Sequence, residues 1–130
     1  YRLESNRDNF LKPMELTTSM EEWELGTYNA ALCCNMIHIS PWDSCSGLFR
    51  GLAEHLEKSS KFVLYGPFLR DEIATASSNL GFDQSLKTRN LEWGLRNLND
   101  VVSVAEDCDF ELFQIHEMPA NNLSVVFLKR

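Results

Sequence analysis

Residues 30–34 (AALCC) and 61–65 (KFVLY) are two short apolar runs, with SPWD at residues 40–43 between them. The first run shows no alternation of apolar and polar residues. That pattern is typical of a strand covered on both faces, as in a parallel sheet flanked by helices. We therefore predict strands over residues 28–37 and 61–65.

The segment between the two runs predicts a helix. Ser40 fits an N-cap, Pro41 the first helical position and Asp43 an acid in the first turn. Apolar residues then recur with a helical period from Trp42 to Leu56. Strand, helix and strand make a βαβ unit with parallel strands, and ligands of such sheets bind beyond the carboxyl ends of the strands. Those ends are residues 35–40 and 65–70.

The rest of the chain predicts further elements on either side of this unit. Residues 1–9 are polar and fit a helix tail or a loose leader, and Leu11–Leu16 fits an edge strand containing Pro13. Downstream we predict a short helix capped by Ser78, a helix capped by Asn97, and strands over 110–118 and 123–128 that form an antiparallel hairpin.

Composition excludes several classes of protein. The chain has 130 residues, which is the size of one domain or part of one, and carries 19 acidic against 12 basic residues. Its bases are scattered, so binding of nucleic acid or an anionic membrane through bulk charge is not expected. No apolar run approaches the ~20 residues that span a bilayer. Four cysteines in no zinc or disulfide pattern indicate reduced thiols in a cytoplasmic or nuclear protein.

Candidate site residues follow from the strand ends, because glycine motifs are absent. No GxG occurs, so neither a dinucleotide fingerprint nor a P-loop can be placed, and three dispersed histidines predict no metal site. His38 ends a predicted buried strand at the ligand edge and is either functional or a hydrogen-bonded structural histidine. Tyr65 closes the next strand. Asn121 and Asn122 either line a site or only shape a turn.

Six stretches together carry a family resemblance: NMIHISPW (35–42), GLFRGLAEHL (47–56), LYGPF (64–68), SNLGFDQSL (78–86), EWGLRNL (92–98) and EMPANNL (117–123). In order and spacing they resemble the methyltransferase-like protein 26 family, from about residue 10 onward. The resemblance implies an α/β fold: a partial class I S-adenosylmethionine-dependent methyltransferase, with a Rossmann-like sheet, helices on both faces and an antiparallel carboxyl-terminal hairpin. It leaves the methyl acceptor unassigned.

The resemblance also implies that residues 1–130 are the carboxyl-terminal part of a single domain. Leu11–Leu16 would be the third strand of that fold and residues 28–37 the fourth. The first two strands and the glycine-rich cofactor loop have no counterpart, which corresponds to roughly 60–70 absent residues. Without them the fourth strand presents an open edge, so we expect low stability or pairing with another chain through that edge.

Site roles are implied in the same way. His38 would be a general base with Tyr65 beside it, and S-adenosylmethionine would contact Asn35, Met36 and Thr17, where Thr17 replaces the family's aspartate. The residues expected to shape the substrate pocket are Trp42, Phe68, Asn79, Asp83, Arg96, Asn121 and Asn122. Two alternatives stay open: a non-catalytic binding or scaffold module with a decayed cofactor site, and a truncated product without a function of its own.

Overall fold

The computed structural model describes residues 11–130. The elements follow one another as β1 (Tyr28–Cys34), a 3-10 turn (Ile37–Ile39), α1 (Asp43–His55), β2 (Leu56–Gly66), β3 (Phe68–Leu69), α2 (Ser77–Arg89), β4 (Arg96–Asn97), α3 (Leu98–Asp107), β5 (Phe110–Met118), a second 3-10 turn (Pro119–Asn121) and β6 (Asn122–Lys129). The prediction for residues 1–9 lies outside the described residues.

A four-stranded sheet in the order β1-β2-β6-β5 organises the chain. β1 and β2 are parallel, as a right-handed βαβ unit requires, and β6 runs antiparallel to both β2 and β5. The predicted α/β class and its antiparallel carboxyl-terminal pair are therefore confirmed. A second sheet, in which the two-residue strands β3 and β4 pair in parallel, was not predicted.

The hydrophobic core lies on one face of the sheet. Phe62 of β2 and Phe127 of β6 are register partners on that face and are fully buried. Phe49 of α1 packs edge-to-face against both rings and against Phe110, with centroid distances of 5.1 to 5.5 Å. Val101 of α3, also fully buried, belongs to the same cluster. Since these contacts fix α1 and α3 on the Phe62 face, aromatic packing joins the helices to the sheet.

The opposite face is open in the part of the chain that the structure describes. Leu32 of β1 is 67% exposed and Phe113 of β5 is 46% exposed. β1 is one of the two edge strands, and it alternates between exposed residues and the half-buried Ala31 and Cys33. Double-sided cover of residues 30–34 was therefore a wrong expectation. Small apolar side chains on both faces hid the alternation that marks a half-buried strand.

Leu11–Leu16, the predicted third strand, is not a strand in the structure. These residues have no regular secondary structure, are exposed and lie outside both sheets. A strand needs a neighbour to satisfy its backbone N–H and C=O groups, and this segment has none among the described residues. The predicted strand over 28–37 is also shorter, ending at Cys34, because Asn35 adopts a left-handed φ of 54°.

Of the three predicted helix caps, one is confirmed. The Asn97 side chain accepts a hydrogen bond from the Asn99 N–H at 2.9 Å at the start of α3. Ser40 does not cap α1, which begins at Asp43, because its hydroxyl donates to the Met36 carbonyl at 2.9 Å. Ser78 lies inside α2.

Two glycines spaced four residues apart let an upstream loop approach α1. A Cβ at Gly47 would collide with the Thr18 carbonyl, and one at Gly51 would lie 2.6 Å from Cε2 of the buried Trp23 indole. One turn further, His55 stacks on Trp23 with ring centroids 6.0 Å apart. Thr18 and Trp23 thus pack against the side of α1 at Gly47 and Gly51, where no side chain keeps the loop away from the helix.

Candidate functional site

The carboxyl ends of β1 and β2 meet at one edge of the sheet. The Asn35 N–H donates to the Tyr65 carbonyl at 2.9 Å, extending the pairing past Cys34. Gly66 follows, and both the Asn35 side-chain oxygen and the His38 imidazole lie 3.5 Å from the point where a Cβ of residue 66 would stand. The absence of a side chain at Gly66 lets these two polar groups approach the strand end.

His38 is a buried, neutral imidazole. It is 4% exposed, and its ring packs edge-on against Phe82 of α2 with centroids 5.7 Å apart. Burial lowers the pKa of His38 below its ordinary value of 6.5, and the nearby Arg96 charge lowers it further. At neutral pH the ring therefore has one nitrogen free of a proton, as a general base requires.

Tyr65 is placed differently from the expectation. It is the register partner of Cys34 and Ser124, so strand alternation puts its side chain on the open face of the sheet. Gly66, which contacts His38, belongs to the Phe62 face. The structure therefore brings the Tyr65 and His38 side chains to the same strand end but to opposite faces.

The three residues expected at the cofactor occupy two places. Asn35 and the half-buried Met36 stand together at the end of β1, where the Met36 sulfur is 3.3 Å from the Ser40 hydroxyl. Thr17 belongs to the loop packed on α1. Its carbonyl accepts the Trp23 indole N–H at 2.9 Å, and its exposed hydroxyl lies 3.2 Å from that of Ser19.

A cavity of about 240 Å³ opens beside the strand end, between β3, α2 and the β5–β6 turn. Four of the seven predicted substrate residues line it: Phe68, Asn79, Asn121 and Asn122. The sequence argument missed several further lining residues, among them Arg70, Ile73 and Glu117. Glu117 lies in the EMPANNL stretch, so the family resemblance could have indicated it. Arg70 and Ile73 lie in a polar stretch without a motif.

The β5–β6 turn that forms one wall of this cavity is strained and held in place. Ala120 and Asn121 both adopt left-handed φ values, 60° and 59°, which are unfavourable for alanine and tolerated by asparagine. The Asn79 amide, from α2, donates to the Asn121 carbonyl at 3.1 Å, and the Asn121 amide donates to the Ser78 hydroxyl at 3.3 Å. These two hydrogen bonds tie the turn to the first turn of α2.

The other three predicted substrate residues do not line the cavity. The buried Asp83 carboxylate accepts the Leu95 N–H and the Lys87 ammonium, each at 2.8 Å. The Arg96 guanidinium lies over the Trp42 ring, 5.5 Å from its centroid. Each of these side chains is engaged with the protein itself.

Residues 11–130 contain neither a membrane-spanning helix nor a metal-binding cluster. None of the helices there combines the length and the apolar character needed to cross a membrane. Within the same residues, no group of three or more histidine, cysteine and acidic side chains is arranged to hold a metal ion.

Solved structures resemble this fold at low sequence identity. Human N-acetylserotonin methyltransferase in complex with S-adenosylmethionine has a TM-score of 0.72 and 12% identity, over 83% of this chain and 31% of that protein. The pyocyanin biosynthetic protein PhzM has a TM-score of 0.67 and 12% identity over 82% and 32%. A pericyclic reaction enzyme has 0.71 and 13% over 84% and 28%.

These likenesses establish a partial class I methyltransferase fold, and the chain spans about a third of the length of the solved proteins that it matches. A family model matches residues 1–129 of this chain. The chain therefore belongs to the family described as protein of unknown function (DUF938).

Proposed function

We propose that this chain is the carboxyl-terminal part of an S-adenosylmethionine-dependent methyltransferase domain, as its resemblance to the methyltransferase-like protein 26 family implies. The observation that carries the proposal is the meeting of Asn35 and the neutral His38 at Gly66, where β1 and β2 both end. In an open parallel sheet this edge is where ligands bind. The fold shared with N-acetylserotonin methyltransferase, solved with S-adenosylmethionine, supports the assignment.

Two of the expected cofactor residues fit S-adenosylmethionine, which when bound supplies a methyl group on a sulfonium. Asn35 is exposed and offers an amide donor and acceptor, and Met36 offers an apolar thioether beside it. Both stand at the open end of the edge strand β1. Thr17 lies on the loop against α1, its hydroxyl beside Ser19, and it carries no charge. We therefore assign cofactor contact to Asn35 and Met36 and keep Thr17 as the weakest member of the set.

The acceptor in this proposal occupies the cavity of about 240 Å³ lined by Phe68 and the asparagines 79, 121 and 122. Phe68 supplies an apolar wall. The amide oxygens, and the amide N–H groups that the protein's own hydrogen bonds leave free, supply hydrogen bonds that fix orientation. Methyl transfer depends mainly on aligning the attacking atom with the methyl group. His38 lies beside Gly66, which is two positions before Phe68 of the cavity wall. Its imidazole would accept the proton that the acceptor loses.

The test is transfer of an isotopically labelled methyl group by the intact protein to small-molecule and protein fractions of a cell extract. Once an acceptor is found, His38→Gln should lower turnover at least about tenfold, because a general base typically contributes about a hundredfold or more. His116→Gln is the matched control, because His116 is exposed on β5 and its Nε2 lies 3.2 Å from the side-chain oxygen of Gln114. Wild-type turnover by His38→Gln would remove His38 from the role.

A non-catalytic binding module is the second candidate. Thr17 favours it, because the family that this chain resembles has an acid at that position. Calorimetric titration with S-adenosylhomocysteine separates the two candidates. Binding together with methyl transfer to a fraction of the extract supports the enzyme. Absence of both supports the module with a decayed cofactor site and contradicts our proposal.

A further inference from the structure

The Arg96 side chain is bonded to the backbone of the loop that holds His38. Its Nε donates to the Ile37 carbonyl at 3.3 Å, and its Nη2 donates to the Ser40 carbonyl at 2.8 Å. The same Nη2 lies 2.7 Å from the Glu92 carbonyl. The two loop contacts are 59 and 56 residues away in sequence and flank His38 on both sides.

The partners of the Arg96 guanidinium are uncharged groups. Among residues 11–130 it forms no salt bridge, and its guanidinium is satisfied by carbonyl oxygens and by the face of Trp42. Hydrogen bonds from a charged donor are stronger than neutral ones, and the planar guanidinium can hold several acceptors in fixed directions. A lysine at the same position could not reproduce this arrangement.

A second link runs in parallel to the same loop. The Gly94 N–H donates to the His38 carbonyl at 3.0 Å, two residues before Arg96. The segment that begins β4 thus contacts the main chain at residues 37, 38 and 40. The whole 3-10 turn around His38 is fixed from the β4 side.

We propose that Arg96 is a positioning residue for His38, holding the turn Ile37–Ser40 so that the imidazole stays against Gly66 at the strand end. The proposal deepens the function proposed above, because it gives His38 its orientation there. It also replaces the expectation that Arg96 contacts substrate. The guanidinium acts through main-chain carbonyls and leaves the cavity to the asparagines and Phe68.

The charges around His38 support this assignment. α2 contributes the uncharged Phe82 ring, and its Asp83 carboxylate is paired with Lys87 and the Leu95 N–H. β2 contributes Gly66, and the loop itself contributes Asn35, both uncharged. Arg96 is the charged group whose field acts on the imidazole, and it lowers the pKa of His38 beyond the effect of burial.

The test compares Arg96→Met and Arg96→Lys in the intact protein by NMR. Arg96→Met removes both the charge and the bonds, so the His38 pKa should rise towards 6.5 and exchange of the Gly94 amide should become about tenfold faster or more, as loss of a charge-assisted bond predicts. Arg96→Lys keeps the charge, so the pKa of His38 should stay low while the Gly94 amide still exchanges faster. The His38 signal is identified by its loss in His38→Gln.

Arg89→Met is the matched control, since Arg89 lies over the Trp93 ring at 6.0 Å on the exposed end of α2. It should leave both readouts at wild-type values. If Arg96→Met also leaves the His38 pKa and the Gly94 exchange unchanged, the proposal is wrong, whether or not the protein transfers methyl groups. If Arg96→Met does not fold, Arg96→Lys alone decides, because a wild-type Gly94 exchange rate in that variant contradicts the proposal.

Neither NMR readout depends on turnover, so failure of the proposed function is separately visible as absence of methyl transfer by the wild-type protein. With an acceptor in hand, Arg96→Lys should lower kcat while leaving KM for the acceptor within about twofold. An interaction that acts only on the geometry of the reacting group has that signature. A rise in KM with kcat unchanged would instead place Arg96 in the substrate site.

Discussion

The two faces of the four-stranded sheet differ in how far they are covered. One face buries Phe62 and Phe127 completely under α1, whereas the other leaves Leu32 of the edge strand 67% exposed. The strands carry apolar residues on both faces, so hydrophobicity alone does not explain the difference. Cover by α1 and α3 does. Stability should therefore depend on the Phe62 face, and substitutions on the two faces should have very different effects.

The largest contrast is expected between Phe49→Ala and Phe113→Ala. Phe49 is fully buried and contacts three other rings, so its truncation should cost about 3–5 kcal/mol of unfolding free energy. Phe113 is 46% exposed on the open face and contacts Lys61, so its loss should cost less than about 1 kcal/mol. Urea unfolding of the purified protein measures both values. Equal losses would show that the open face is covered in the intact molecule.

A second contrast concerns the outer side of α1. Gly51→Ala should destabilise the protein by about 1–3 kcal/mol, because the added methyl group would overlap the Trp23 indole. Gly81→Ala in α2 is the matched control. Nothing lies within 4 Å of the Cβ position there, so alanine should stabilise the helix by up to about 1 kcal/mol. Thermal unfolding should show opposite shifts, and the same sign for both would contradict the close packing of the loop on α1.

The third contrast concerns the pH dependence of stability. It compares the native protein, in which His38 is buried at the end of the Phe62 face, with His38→Gln, which has no ionisable group there. The native pKa of His38 lies below the unfolded value of 6.5, so the unfolded chain binds more protons between the two values. The stability that the neutral His38 imidazole contributes above pH 6.5 is therefore lost as the pH falls through 6.5 towards the native pKa. His38→Gln should flatten this part of the stability curve. An unchanged slope would show that the imidazole is solvated.

The smallest expected effect is on thiol reactivity across one strand. Cys33 faces the core side, where burial raises its pKa to about 11, and the neighbouring Cys34 is exposed on the open side. Cys45, on α1, is buried with a pKa of about 12. Since the thiolate is the reacting form, alkylation at pH 8 should modify Cys34 first and Cys45 last. Mass spectrometry of partially alkylated protein gives the order, and equal rates would show that β1 does not keep the two thiols on separate faces.

Local sequence signals account for much of the fold. The βαβ unit, the Asn97 cap and the carboxyl-terminal hairpin were predictable, because periodicity and capping chemistry act over a few residues. The predicted strand Leu11–Leu16 was wrong because pairing depends on a neighbour that a local pattern does not contain. Ser40 was misassigned as a cap because its hydroxyl is used by Met36 instead.

The candidate site was predictable in part for the same reason. Asn35 and His38 stand beside Gly66 at the strand end, because the end of an apolar run can be read from the chain; their roles in a site stay predictions. The sequence argument did not predict which of the expected substrate residues lie together. Phe68, Asn79 and Asn121 meet in one cavity, while Asp83 and Arg96 serve the protein's own backbone. Residues with the same polar character were divided between two tasks by contacts across more than fifty positions.

The sequence by itself determined the order of the elements, the parallel pairing of β1 with β2 and the edge where polar residues gather, because hydrophobic period and chain handedness constrain these locally. Only the tertiary structure decided which face of the sheet is buried, on which face His38 lies and which carbonyl groups Arg96 binds. Each of those outcomes depends on contacts between segments distant in sequence, and their energies are set by packing and by which carbonyls come within reach of a donor.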